Sequence, residues 1–167
     1  KLVKVEGGYH GHHDEVMISN KPAIADAGPA DAPWSIPQSA GITQGTIDDV
    51  IVIPFNDAPA LERALASHEV ACFIVEPVME NIGICLPEPG YLEAVREICT
   101  KYGTLLIFDE VKTGITAGLG GATKKLGVTP DLITLAKSIG GGLPVGAFGG
   151  KAEYMNLITT GEVLHLG

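Results

Sequence analysis

Several shortages in this sequence each close off a class of function. No hydrophobic run approaches the roughly 20 residues that a bilayer span requires, so no membrane span is expected. Positive charge is scarce: 11 Lys and Arg against 20 Asp and Glu leave a formal net charge of −9. Such a surface repels a phosphate backbone and an anionic bilayer alike. Nucleic acid and membrane surfaces are therefore not expected as partners, while a local anion pocket remains open. Cysteine is confined to Cys72, Cys85 and Cys99, an odd number in no CxxC or zinc spacing. The first and last lie in apolar segments, where a free thiol behaves as a small hydrophobe. This usage fits a reducing compartment, and a cytoplasmic setting is expected. The opening Lys1-Leu2-Val3-Lys4-Val5 lacks the layout of a signal peptide and looks like a strand entered partway through a protein. There is no internal repeat.

What is present suits a folded domain. Of 167 residues, 46% are hydrophobic and only 19% charged, enough apolar surface for a real core. Short, continuously apolar runs recur at Leu2 to Val5, Val50 to Ile53, Ala71 to Val75, Thr104 to Phe108, Leu132 to Leu135 and Val145 to Phe148. That pattern predicts strands covered on both faces. Between them lie helical patterns. Asn56-Asp57 and Pro59 open one with Leu61, Ala64 and Leu65 on a face. A second carries Leu92, Val95, Ile98 and Tyr102 on one stripe and stops at Gly103. Strand alternating with helix predicts the α/β class, a mostly parallel sheet with helices on both faces. Residues 15–49 differ: Pro22, Pro29, Pro33 and Pro37 stand among Ala, Ser and Gly with little periodicity. A connection this long is either a surface excursion or functional, and a mobile lid is the sharper expectation.

Ligands of an open parallel sheet sit beyond the carboxyl ends of its strands. Glu76 follows one predicted strand, Asp109 a second and Lys137 a third, so two carboxylates and a lysine are expected along one edge. A carboxylate there is often only a cap or turn residue, and a lysine is often simply exposed. The setting of Lys137 favours chemistry: an apolar strand precedes it, and Ile139 and Gly140 to Gly142 follow. Apolar surroundings would disfavour its charged form, and a neutral amine is what attacks an aldehyde. Leu105 to Glu110 also resembles the magnesium strand of a nucleotide hydrolase. The string G-x-x-x-x-G-K-[ST] that such enzymes need is missing, because threonine stands where glycine must precede lysine in Gly118 to Lys125. The glycines near Gly118 and Gly140 do not follow a strand in dinucleotide-binding register. His10, His12, His13 and Asp14 match no common zinc spacing, so no metal is expected; a turn exposing its histidines is the plainer reading.

A larger set of motifs then lines up. Glu6-Gly7-Gly8-Tyr9-His10-Gly11-His12, Val75-Glu76-Pro77, Phe108-Asp109-Glu110-Val111 with Thr113-Gly114, and Thr134-Leu135-Ala136-Lys137 running into Gly140 to Gly150 resemble class III aminotransferases in order and spacing. The resemblance covers essentially the whole chain. It implies the large domain of a fold-type I enzyme, of which residues 1–167 would be the central part, and the cofactor pyridoxal 5'-phosphate (PLP). It implies amino-group transfer, as aminotransferase or as aminomutase, on a small amino acid or amino aldehyde within a homodimer. By the same resemblance Lys137 forms the Schiff base and shuttles the proton, Asp109 partners the ring nitrogen, and Val111 packs on the ring. Tyr9 stacks on the cofactor with His10 beside it, Glu76 and Asn81 lie near the ring hydroxyl, and residues 15–49 form a mobile gating loop. The family also has an upstream Ser-Gly-Thr phosphate loop, an N-terminal substrate-binding segment, a C-terminal small domain and, beyond Gly167, a threonine for the neighbouring subunit's cofactor phosphate. Thr116 replaces an arginine common in relatives. An inactive remnant acting as a binding or dimerisation module is one alternative; a P-loop-type nucleotide hydrolase using Asp109 and magnesium, its glycine loop outside residues 1–167, is the other.

Overall fold

β-branched and aromatic side chains fill the short runs that become strands, since they pack well on a pleated surface. The computed structural model describes residues 1–164, so Gly167 and what the resemblance implies beyond it lie outside the described residues. The strands are β1 (Leu2–Val5), β2 (Val50–Ile53), β3 (Cys72–Val75), β4 (Leu105–Asp109), β5 (Leu132–Leu135) and β6 (Ala147–Gly150). They form one sheet in the order β2-β1-β3-β4-β5-β6. Every pairing is parallel except β5 with β6, which is antiparallel. The helices are α1 (Gln44–Asp48), α2 (Ala58–Ser67), α3 (Tyr91–Tyr102), α4 (Thr113–Thr116), α5 (Gly121–Leu126) and α6 (Ala152–Thr160).

Successive strand residues face opposite sides. Val3, Val5, Phe73, Val75, Leu106 and Phe108 therefore share one face and pack with Leu61 and Leu65 of α2 and Leu92, Val95 and Cys99 of α3. Each such fully buried side chain contributes about 1.5–3 kcal/mol. The boundaries of both helices follow from local chemistry. The Asp57 carboxylate accepts the Ala60 amide at 2.8 Å at the start of α2. Gly103, at φ 68°, closes α3 in a left-handed turn that suits glycine. The other face, over β1 and β2, is covered by Ile18, Val50 and Val52 with Leu2, Ile42 and Ile47.

Two expectations need correction. Burial on both faces fails at β5, which is half-buried throughout, and at β6, where Phe148 is 48% exposed. The last strand also begins at Ala147 rather than Val145, because Val145 spends its amide on Leu143 in the turn that follows Gly140. β6 can still approach β5 closely: a Cβ on Gly150 would lie 2.2 Å from the Asp131 carbonyl. Asp131 then ties this edge to the rest. Burial works against its charge, but Lys151, the Leu106 amide and Arg96 hold it below the ordinary carboxylate range.

Residues 15–49 are more structured than their composition suggests. Val16, Ile18, Ser19 and Asn20 are buried, Ile18 bridges to Pro37, and Thr43 caps α1. Ser19 makes the neck of a loop: its carbonyl accepts the Gly7 amide, its amide reaches Ile36, and its hydroxyl bonds Trp34 and Ile36. Residues 21–32 form the tip, which is mostly exposed.

Candidate active site

Parallel pairing brings the ends of β1, β3, β4 and β5 to one edge. The registers Lys4↔Ile74, Val75↔Phe108 and Asp109↔Thr134 set Glu6, Glu76, Asp109 and the approach to Lys137 side by side in that order. Asp109 is 6% exposed and fully engaged. Its Oδ2 is 2.8 Å from His10 Nδ1, and its Oδ1 accepts the Val111 amide at 3.0 Å. Toward an ionised carboxylate Nδ1 is the donor. The His10 side chain is wholly buried, and its Nε2 meets no partner. The expectation that His10 belongs to an exposed turn is thus overturned, since the carboxylate beyond β4 draws the imidazole inward. His12 and His13 stay exposed.

Glu76 acts as a brace. Its Oε1 accepts the Tyr9 amide at 3.1 Å and its Oε2 the Glu80 amide at 2.9 Å, tying the turn after β1 to the turn after β3. Asn81 Nδ2 donates to the Gly7 carbonyl at 3.0 Å and completes the tie. Tyr9 is held by this frame, its ring edge-on to His12 at 5.9 Å. Val111 is half-buried beside Asp109.

Lys137 departs from expectation. It is exposed rather than wrapped by apolar groups, because β5 is open and a short 3-10 turn, Lys137–Gly140, carries the side chain outward. Its amine makes no hydrogen bond to any described residue. Its backbone sits at φ 50°, one of only three non-glycine residues at positive φ among those described. Such a conformation costs about 1–3 kcal/mol and is concentrated at functional sites.

Three acid-base groups escaped sequence reasoning. Lys4 is completely buried, its Nζ donating to Ile18 O at 2.6 Å, with Val5 O and Asn20 Oδ1 also in reach. Burial lowers its pKa to about 7, against the partial pull of the Glu76 and Glu6 carboxylates. Burial likewise raises the Glu6 carboxyl, partly offset by Lys4, and Glu6 Oε1 is buried with no partner. Strand alternation would have set Lys4 apart from Val3 and Val5, on the opposite face. Glu110, 1% exposed, gave no such signal, because its partners come from residues 113–123.

The donor set fits the cofactor that the resemblance implies. An anchored carboxylate suits a protonated pyridine nitrogen, an unpaired amine suits an aldehyde, and the orphaned Nε2 of His10 leaves one buried polar atom for a further partner. Among the described residues no group of three or more His, Cys, Asp or Glu could hold a metal ion. No helix there is long and apolar enough to cross a membrane.

The mostly parallel six-stranded sheet with its antiparallel edge strand matches the fold of fold-type I aminotransferases. Known proteins agree. The family model described as aminotransferase class-III matches residues 1–167. The chain is 43% identical over 170 residues to glutamate-1-semialdehyde 2,1-aminomutase of Rhodopirellula baltica, covering 100% of this chain and 37% of that protein. An omega-transaminase from Sphaerobacter thermophilus superposes with a TM-score of 0.92 at 39% identity, over 100% of this chain and 39% of its own. A glutamate-1-semialdehyde aminomutase from Pseudomonas aeruginosa PAO1, in complex with PMP, gives 0.78 at 29% identity, over 99% and 35%. The chain therefore belongs to the class III aminotransferase family, and it spans little more than a third of such relatives' length.

Proposed function

We propose that the protein to which these residues belong transfers amino groups with PLP, and that Lys137 carries the cofactor. The supporting observation is a buried, doubly anchored carboxylate on β4 beside β5, the strand that leads to an unpaired amine at a strained backbone position. When bound, PLP supplies an aromatic aldehyde that takes up an amino group and a ring that withdraws electrons. Asp109 holds a proton on the ring nitrogen. His10 Nδ1 and the Val111 amide fix the two oxygens of that carboxylate, so it needs no reorganisation during reaction. Lys137 would hold the cofactor through its aldehyde, and its free amine would be the base that carries the proton at Nζ. Glu76 and Asn81 hold the turn that presents Tyr9.

The substrate is a small amino acid or amino aldehyde, handled by a homodimer in the cytoplasm. Aminomutase and aminotransferase share these residues and differ in whether the amino group returns to its own carbon skeleton. Full-length protein given glutamate-1-semialdehyde without an added keto acid separates them, since only a mutase forms product. The shared step has its own test. Borohydride reduction of the PLP-incubated full-length protein should label Lys137, as read by peptide mapping, and Lys137→Ala should abolish the label. Absence of label at Lys137 in the wild type would refute the assignment and favour a non-catalytic binding role.

A further inference from the structure

Between the two residues assigned to the cofactor ring, Asp109 and Val111, stands a residue held at every polar atom. Glu110 Oε2 accepts the Thr113 hydroxyl at 3.0 Å and the Ala122 amide at 2.6 Å. Its Oε1 accepts the Thr123 amide at 2.8 Å and the Thr123 hydroxyl at 2.6 Å. Its own amide donates to the Thr134 carbonyl at 3.0 Å, and its carbonyl accepts the Gly114 amide at 2.8 Å. No ion pair among the described residues includes it.

The surroundings are shaped to admit this carboxylate. Gly121 lies at φ 65°, and a Cβ there would sit 2.2 Å from Glu110 Oε2. Gly114 packs so tightly on β5 that a Cβ would lie 2.3 Å from Leu135 Cδ2. Residue 110 thus joins the end of β4 to α4, to α5 and to the strand leading to Lys137. Burying an unpaired carboxylate is costly, and apolar packing would serve stability at least as well. What four donors in fixed directions add is a single orientation, as fully satisfied buried polar networks do.

We propose that Glu110 is a positioning residue for the cofactor site, locking the turn 109–113 so that Asp109 and Val111 keep their places against the ring. It rests on the PLP reading above. The mechanism runs through the backbone. With the side chain of residue 110 fixed on one side, Asp109 and Val111 are fixed on the other, and the Asp109–Val111 hydrogen bond cannot loosen. Misplacement of about 1 Å at such a site costs about 100-fold in rate.

The test compares Glu110→Gln with Asp131→Asn in the full-length protein. Both remove one buried carboxylate from the same sheet, but Asp131 lies at the opposite end, away from the cofactor edge. In the cofactor-free protein, amide hydrogen exchange at residues 109–114 should quicken about tenfold or more in E110Q and stay near wild type in D131N. In the holoenzyme, E110Q should move the pH midpoint of the visible cofactor band and lower kcat more than it raises KM. D131N should lower the unfolding temperature without moving the band. Should E110Q fail to fold, Thr123→Val removes one hydroxyl donor and must move the band in the same direction at near-wild-type stability. Equal band shifts in E110Q and D131N, or an unmoved band in E110Q or T123V, would overturn the proposal. A wild-type protein with no visible band overturns the PLP reading itself, and the proposal with it.

Discussion

Lys4 shows how one side chain can carry a pH dependence. In the unfolded chain its amine holds a proton to the ordinary value of 10.5, whereas burial lets the folded protein release it near 7. Between those values the unfolded state binds more protons, so this residue makes stability rise with pH, by up to about 1.4 kcal/mol per unit. Below pH 7 its full penalty is present. Urea unfolding at pH 7, 8 and 9 should show the wild type gaining on Lys4→Met as pH rises, because the buried Cys99 thiol is common to both chains and cancels in the comparison. Parallel curves would disprove the shift. At the same scale, if Asp109 is the ring-nitrogen partner proposed above, Asp109→Asn leaves that nitrogen without a charge to hold its proton. It should cost the full-length protein about 100-fold or more in kcat while Lys137 still takes the borohydride label. Strand alternation puts Lys4 on the face opposite Val3 and Val5, but neither its burial nor the His10–Asp109 contact was legible residue by residue. Both depend on which segment lies across the sheet edge, and that is set by pairing between distant parts of the chain.

Elements were far more legible. β1, β2 and β5 begin and end where the apolar runs do, and α2 and α3 carry the stripes their spacing implies, because these patterns are local. β6 was misplaced because hydropathy says nothing of the turn after Gly140, in which the Val145 amide goes to the Leu143 carbonyl. Two substitutions measure the elements separately. Asp57→Ala removes the cap of α2 and should cost about 1 kcal/mol. Leu61→Ala empties part of the interface between α2 and the sheet and should cost about 2–5 kcal/mol. Urea unfolding distinguishes them, and a cap variant as damaging as the cavity variant would mean that α2 owes its place to its terminus rather than its buried face.

For the whole molecule, the gating role expected of residues 15–49 narrows to a smaller moving part. The neck at Ser19 is buried and cross-linked by hydrogen bonds, Lys4 donates to Ile18 from beneath, and only residues 21–32 project. We propose that this tip alone moves over the cofactor edge. Limited proteolysis of the full-length protein should cut within 21–32 and spare 16–20, and PLP with substrate should slow the cut. Cleavage unchanged by either would remove the gating role.

By itself the sequence determined the class of fold, the order of acid, acid and lysine along one edge, and the family. Those follow from short-range patterns and from motifs in a set order. Only the tertiary structure decided that His10 is buried against Asp109, that Glu110 is a hub, that Lys4 is interior and that Lys137 sits just past β5 in a left-handed backbone conformation. Burial and hydrogen bonding belong to pairs of groups far apart in the chain, and no single segment carries that information.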